Sequence, residues 1–269
     1  MNKWEILKNR YINNGIKIIP IVPNQKTPMI ENWNKDCSSD YFQVLYWHNQ
    51  NKDMNFAIPC YENNLFVIDL DRHDPNKDGV ENFGKLLKDI NYPIDHYTSV
   101  GTLVQQTPSG GLHIIYQSDN DLTQVNGVAN AFKDYPGIDL RNRNYIVAEP
   151  SVINDKSYKF LTNMKPQPMP QQLKDFILNN APTKSDIKKE PYKKPTSVEV
   201  GDRDNQLFSY INNVYYKTNL DYDEVLCLAN YFNENILEKP FPERVVKYKV
   251  TKIFEKERNK YIFIKINNE

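Results

Sequence analysis

The sequence predicts an α+β protein, in which a domain built on an antiparallel sheet is followed by a small all-helical domain. One observation is the apolar, β-favouring run at 65–70, which is typical of a buried strand. A second is the glycine-containing turn at 107–111 between two β-type runs, which predicts a hairpin. The third is the segment 201–258, where apolar residues recur at helical spacing.

Composition excludes several classes of protein. Hydrophobic residues make up 39% of the 269 residues and charged residues 25%, which is typical of a soluble globular protein. No apolar stretch approaches the roughly 20 residues that span a bilayer, and the first residues lack the apolar core of a signal peptide, so we expect a cytoplasmic protein without a membrane partner. The three cysteines form no Cys-x-x-Cys pair, so we expect no zinc.

The amino-terminal part predicts an α/β lead before the main sheet. Its predicted elements are a helix at 3–14, a strand at 16–22, a polar turn at 23–28, a helix at 40–48 and a strand end at 56–59. The buried strand at 65–71 follows. The remaining elements of this domain are a helix at 80–90, a hairpin of 102–106 with 112–116, a second hairpin of 138–141 with 145–148, and a helix at 173–178.

A change in composition separates two predicted domains. Lys, Pro, Thr, Ser and Glu dominate residues 181–200, which is typical of a linker. We therefore predict a first domain at 1–180 and a helical domain of three or four helices at 201–269.

Two carboxylates stand at the end of the predicted buried strand at 65–71. Side chains alternate along a strand, so Asp69 and Asp71 face the same side while Ile68 and Leu70 face the core. Adjacent acids repel each other unless a cation lies between them, and Mg²⁺ or Mn²⁺ prefers oxygen ligands. Alone, the pattern also fits acids that cap a turn or face water.

Two further motifs follow in order. Ser109, Gly110 and Gly111 form a turn whose backbone amides could approach a phosphate, and His113 on the next strand could donate to a phosphate oxygen. Asp139 is a third strand carboxylate, and Arg141 two residues on could hold phosphate through its planar fork. Separately, these motifs also fit a plain hairpin turn and a local Asp–Arg pair. Together they supply what nucleotidyl transfer needs, namely carboxylates for two metal ions and a triphosphate grip.

This ordered set resembles the archaeo-eukaryotic primase superfamily, specifically the bifunctional primase–polymerase branch of phages, plasmids and other mobile elements. The resemblance covers about residues 1–180. The matching segments are Val67-Ile68-Asp69-Leu70-Asp71, Thr107-Pro108-Ser109-Gly110-Gly111-Leu112-His113, Gly137-Ile138-Asp139-Leu140-Arg141 and Tyr145 to Ser151, preceded by Gly15, Pro20, Lys26-Thr27-Pro28 and Trp33. It implies a catalytic domain related to the RNA-recognition fold. The zinc-binding insert that members often carry is not expected here.

The second domain resembles the helical carboxy-terminal module of primases, through Gly201 to Phe208 and the segments 230–233 and 240–243. That module is implied to assist primer initiation. The run from Arg244 to Lys260 carries a net charge of +5, from seven basic and two acidic residues. A basic helix of this kind can track a phosphate backbone, although a solvated helix face has the same pattern.

The resemblance implies a template-directed nucleotidyltransferase that acts in replication of a mobile element. It would be a DNA primase, and whether it also extends primers is left open. Asp69, Asp71 and Asp139 would be catalytic and bind two Mg²⁺ or Mn²⁺ ions. The nucleotide-binding residues would be Ser109, Gly110, Gly111, His113, Arg141 and Lys26. Its partners would be a single-stranded DNA template, nucleoside or deoxynucleoside triphosphates and a separate helicase, since the chain has no Gly-x-x-x-x-Gly-Lys-Ser/Thr loop.

Two other functions remain open at this point. A non-catalytic module could bind single-stranded DNA and recruit a helicase, and would then bind template without incorporating nucleotides. A metal-dependent nuclease would use similar two-metal chemistry and would degrade DNA without added nucleotides.

Overall fold

The computed structural model describes residues 2–72, 77–93, 100–182, 192–199 and 201–266, with side chains of the last helix described as far as residue 255. The chain divides into two compact units, Met1–Ile187 and Lys188–Glu269. The boundaries at 180 and 200 stay a prediction, because residues 183–191 and 200 of the expected linker lie outside the described residues.

The first unit combines antiparallel strands with helices, which confirms the α+β class predicted from the sequence. Its strands are β1 Ile19–Ile21, β2 Asn55–Pro59, β3 Leu65–Leu70, β4 Leu103–Gln106, β5 Leu112–Gln117, β6 Ile138–Arg141, β7 Tyr145–Ala148, β8 Val152–Ile153, β9 Lys156–Ser157, β10 Lys159–Phe160 and β11 Gln167–Pro168. Its α-helices are α1 Lys3–Ile6, α2 Trp33–Asp36, α3 Tyr41–Gln50, α4 Gly79–Asp89 and α5 Gln171–Asn180.

The large sheet has the strand order β10-β4-β5-β3-β6, and all of these neighbours are antiparallel. Strand β11 adds a parallel pairing to β5. Alternate residues of β3 enter two different cores, because side chains alternate between the faces of a sheet. Phe66, Ile68 and Leu70 pack in the core that also contains residues of α4 and α5. Leu65 and Val67 pack on the opposite face in a second core.

A small sheet with the order β1-β2-β7 contributes to the second core. Phe56 and Ile58 of β2 pack there together with Val44 and Trp47 of α3. Apolar residues therefore cover most of the face of β3 that carries Asp69. This face is left uncovered only where those apolar residues end.

The second predicted hairpin is wrong, because its two strands belong to different sheets. Strand β6 pairs with β3 and β7 pairs with β2. The buried Asn142 side chain donates to the carbonyls of Leu122 and Val125, and the Asn144 carbonyl accepts from the Cys60 amide at 2.8 Å. These bonds turn the chain from one sheet to the other.

The predicted helix at 3–14 is helical throughout, but its hydrogen-bond pattern changes along its length. Helix α1 begins with a capping box between Asn2 and Glu5. A π-helical turn at Leu7–Tyr11 and a 3₁₀ turn at Ile12–Asn14 follow, and Gly15 ends the segment with φ +67°.

The second unit is helical, as predicted. Its described helices are α6 Arg203–Lys217, α7 Tyr222–Asn235 and α8 Glu243–Ile266. Their apolar faces form one core, in which the rings of Tyr210 and Phe232 stack with centroids 4.3 Å apart. Val198 also packs in this core and forms a bridge with Leu237.

Within the described part of the chain, none of the helices combines the length and the apolar composition needed to cross a bilayer.

Two glycines let helix α4 approach the ends of β3 and β6 closely. A Cβ at Gly79 would lie 2.1 Å from the Gly137 carbonyl oxygen and 2.8 Å from the Asp71 nitrogen. Gly137 itself has φ +84°, which disfavours any other residue. In contrast, a Cβ at Gly84 of the same helix would meet no atom within 4 Å.

We therefore expect opposite effects of alanine at these two positions of α4. Gly79→Ala should lower the free energy of unfolding by about 1–3 kcal/mol through overpacking against backbone. Gly84→Ala should raise it by about 0.5–1 kcal/mol, since Ala restricts the unfolded chain and favours helix. Urea unfolding of both variants measures this, and equal effects would contradict the close approach.

Candidate active site

Four polar residues form a row across four neighbouring strands. The strand register pairs Gln105 of β4 with His113 of β5, His113 with Asp69 of β3, and Asp69 with Asp139 of β6. Directly paired residues of antiparallel strands project to the same face. The three motifs, which are far apart in sequence, therefore converge on one line across the sheet.

Arg141 holds the two carboxylates of this row together. Its Nη2 lies 2.6 Å from Asp139 Oδ2 and 3.3 Å from Asp69 Oδ2. Asp139 Oδ1 also accepts a 2.7 Å bond from the Asn130 amide. Like charges on directly opposed strand residues repel, so the guanidinium offsets the repulsion between the two carboxylates that the strand register brings together.

Burial raises the pKa of Asp139 above its usual value. The Asn130 amide and Arg141 oppose this effect and lower the pKa, whereas the nearby charges of Asp69 and Asp71 raise it. Negative charge is therefore concentrated among side chains that are largely shielded from water, which favours binding of a cation.

Asp71 follows directly after β3. Its amide donates to the Gly137 carbonyl at 2.9 Å, and its carbonyl accepts from the Gly79 amide at 2.7 Å. Its charge acts on both His113 and Asp139. The structure thus brings all three predicted carboxylates to one end of β3 and β6.

His113 is buried, with 5% of its surface exposed. Its Nε2 lies 3.6 Å from Asp69 Oδ1. Burial, and then the positive charges of Lys26 and Arg141, lower the pKa of His113 to about 3, against an opposing effect of Asp71. The ring is therefore neutral at physiological pH and can donate only one N–H.

The glycine turn lies beside the end of β3. A Cβ at Gly111 would lie 2.3 Å from the Leu70 carbonyl oxygen, so only glycine permits this approach. The Gly110 amide donates to the Thr107 carbonyl at 3.0 Å and closes the turn, while the Ser109 hydroxyl lies 3.1 Å from Thr107 Oγ1. In this conformation the Gly110 amide is used within the turn.

Two exposed cations flank the row. Lys26 acts electrostatically on His113, and its carbonyl accepts a 3.0 Å bond from the Tyr145 hydroxyl. Arg72 pairs with Asp78 at 2.9 Å, and its Cδ is 4.0 Å from the Cβ position of Gly110. Positive charge therefore lies near both His113 and the glycine turn, where it can attract an anionic ligand.

Three residues of this site lie outside the motifs that the sequence indicates. Arg72 could have been found from its place directly after Asp71, beside a glycine turn that the hairpin register brings close. Gln105 is fully buried, but it stands beside Gln106 in the sequence and no pattern indicates which of the two is buried. Tyr158 has its ring centroid 6.0 Å from that of His113, and no sequence pattern indicates this.

The donor chemistry fits a hard divalent cation, since the carboxylates of Asp69 and Asp139 share one positive group and Asp71 follows directly after the same strand. The side-chain positions do not form a complete cage: no group of three or more His, Cys, Asp or Glu side chains arranged to hold a metal is found within residues 2–72, 77–93, 100–182, 192–199 and 201–255. An ion bound by both Asp69 and Asp139 requires the Arg141 guanidinium to move.

The basic run of the second unit is partly neutralised. Lys249 pairs with Asp204 at 2.8 Å, and Lys252 lies 3.9 Å from Glu255. The side chains of Lys256, Arg258 and Lys260 lie outside the described residues, so contact of this helix with a template stays a prediction.

Acidification should destabilise the protein through His113. Its pKa is about 3 in the folded state and near 6.5 in the unfolded chain, so the unfolded state binds more protons between these values. The stabilising effect is complete above pH 6.5 and is lost as the pH falls. Between about pH 7.5 and about pH 5 we expect the wild type to lose about 2 kcal/mol more than His113→Gln in urea unfolding. Equal losses would show that the ring is not buried neutral.

The first unit of the chain matches the model of a known protein family. No curated protein matches the chain. The family model described as "Bifunctional DNA primase/polymerase, N-terminal" matches residues 8–172, which is 165 of the 269 residues and includes every residue of the row. The chain therefore belongs to the bifunctional DNA primase/polymerase family.

Proposed function

We propose that this chain is a template-directed nucleotidyltransferase that synthesises primers on single-stranded DNA, with their extension as a second activity of the same site. The family supports primase/polymerase activity in replication, on a DNA template with nucleotide substrates. The observation that carries the finer proposal is the row of Asp69, His113 and Asp139, which lies beside the glycine turn. It combines an acidic end with a phosphate-binding end within one side of a sheet.

Asp69, Asp71 and Asp139 would hold divalent ions at the acidic end. When bound, Mg²⁺ or Mn²⁺ supplies Lewis acidity at the attacking 3′-hydroxyl and neutralises charge on the leaving pyrophosphate. The sheet contributes rigidity, because these carboxylates lie on or directly after strands whose register is fixed on both sides. Phosphoryl transfer needs little from the protein beyond such positioning and charge neutralisation.

His113 and its neighbours would hold the triphosphate. The neutral ring offers one N–H to a phosphate oxygen, and the exposed Ser109 hydroxyl and the glycine turn lie on the adjoining loop. Lys26 adds positive charge near His113, and Arg72 adds it near Gly110. A phosphate with several negative oxygens matches this set better than a neutral ligand does.

Arg141 would act in both parts of the site. In the absence of substrate it balances Asp69 and Asp139. With divalent ions held by those acids, the planar fork of Arg141 would be available to bind a phosphate. The action in a mobile element, the separate helicase and the cytoplasmic location belong to this proposal on the strength of the sequence alone.

The test is primer synthesis on unprimed single-stranded DNA with all four nucleotides of each sugar type and Mg²⁺ or Mn²⁺. We expect labelled oligomers from the wild type, and a loss of more than about a hundredfold in Asp69→Asn, because metal binding supplies several kcal/mol of transition-state stabilisation. The control is Asp155→Asn, an exposed residue with φ +61° that asparagine tolerates, and it should retain activity.

Other outcomes separate the alternatives. Extension of an annealed primer without synthesis on unprimed template would indicate a polymerase that lacks initiation. Template binding with no incorporation in either format would favour the helicase-recruiting module. Degradation of the DNA without added nucleotides would favour a nuclease, and full activity of Asp69→Asn would contradict the metal assignment.

A further inference from the structure

The Gln105 side chain is a fully buried amide at the β4 end of the row, next to His113. Its Oε1 accepts a 3.0 Å bond from the Glu149 amide, and its Nε2 donates to the Val147 carbonyl at 3.0 Å. The same Nε2 lies 2.9 Å from His113 Nδ1. One amide therefore connects the segment at the end of the small sheet to the histidine of the large sheet.

The backbone fixes which way this amide faces. A side-chain amide can be placed in two orientations that differ only in the exchange of oxygen and nitrogen. The Glu149 N–H can only donate, so it must face Oε1, and the Val147 carbonyl can only accept, so it must face Nε2. The exchanged orientation would lose both bonds inside the protein, which is costly.

The amide orientation in turn fixes the histidine tautomer. Because the Gln105 NH₂ group has no acceptor capacity, His113 Nδ1 must be the acceptor and the ring proton must lie on Nε2. That nitrogen is the one 3.6 Å from Asp69 Oδ1, so its N–H is directed to the acidic row. The other tautomer would place two donors against each other at Nδ1 and leave no N–H at the site.

We propose that Gln105 is a positioning residue that holds His113 as an Nε2–H donor for a phosphate oxygen of the incoming nucleotide. The inference rests on the proposed function for the identity of the ligand, but the tautomer itself is a property of the free protein. A purely structural role would require Gln105 only to satisfy Val147 and Glu149, and the state of His113 would then not depend on it.

The first measurement is ¹⁵N NMR of the imidazole rings in the unmodified, uniformly labelled chain, where comparison with His113→Gln assigns one of the four histidines. We expect His113 to show a protonated Nε2 and an unprotonated Nδ1. A protonated Nδ1, or an averaged mixture of tautomers, would overturn the proposal without any variant of Gln105.

Variants then test the dependence on Gln105. Gln105→Glu replaces the donor at Nδ1 by an acceptor, so we expect the His113 spectrum to change to a protonated Nδ1. Gln105→Met removes the donor, and we expect mixed tautomers and a KM for the incoming nucleotide about tenfold higher, with a smaller effect on kcat, as for loss of one hydrogen bond to a charged group.

The matched control is Gln106→Met, on the same strand and facing the other side of the sheet. It should leave both the His113 spectrum and the KM unchanged. A folded Gln105→Met protein with the wild-type tautomer and KM would overturn the proposal. Absence of nucleotide incorporation by a wild type that shows the expected tautomer would instead overturn the proposed function and the phosphate role, while the tautomer assignment would stand.

Discussion

The structure depends on a register that places two carboxylates directly opposite each other. Asp69 and Asp139 are paired across β3 and β6, and each is one residue from apolar positions buried in the first core. A shift of register by one residue would move those apolar side chains out of the core. The two carboxylates therefore cannot be separated by a change in strand register. The fold therefore places two negative charges close together, and the Arg141 guanidinium balances them.

The same constraint explains the surroundings of the site. Gly79 and Gly111 allow backbone to approach the end of β3 within distances that a Cβ would prevent, and Gly137 allows the same close approach to Lys77 and Gly79. Helix α4 and the 107–111 turn therefore lie close to the end of β3, where the apolar side chains end and the acidic residues begin. At the other side of the row, Gln105 ties the histidine to the small sheet. The carboxylates on β3 and β6 and the residues that we propose to bind phosphate, on β5 and the 107–111 turn, therefore lie on different elements.

Much of this arrangement could be predicted from the sequence, because local patterns carry it. Alternation along 65–71 predicted which faces Asp69 and Ile68 occupy, and the glycine turn predicted the pairing of β4 with β5. What failed was long-range: 138–141 and 145–148 look like a hairpin, and only the bonds of Asn142 and Asn144 to other loops show that the chain changes sheets. Gln105 and Tyr158 were missed for a related reason. Val147 and Glu149, which anchor Gln105, and His113, beside which Tyr158 lies, are each more than 40 residues away in the sequence.

The most direct test of the central claim is binding of Mn²⁺ to the free protein, followed by electron paramagnetic resonance without DNA or nucleotide. The account predicts that the wild type and Asp155→Asn bind Mn²⁺ and that Asp69→Asn and Asp139→Asn bind it far more weakly, because each loses a carboxylate that the register fixes at the site. Equal Mn²⁺ binding by all four proteins, or none by the wild type, would contradict the claim that this carboxylate pair is a divalent cation site.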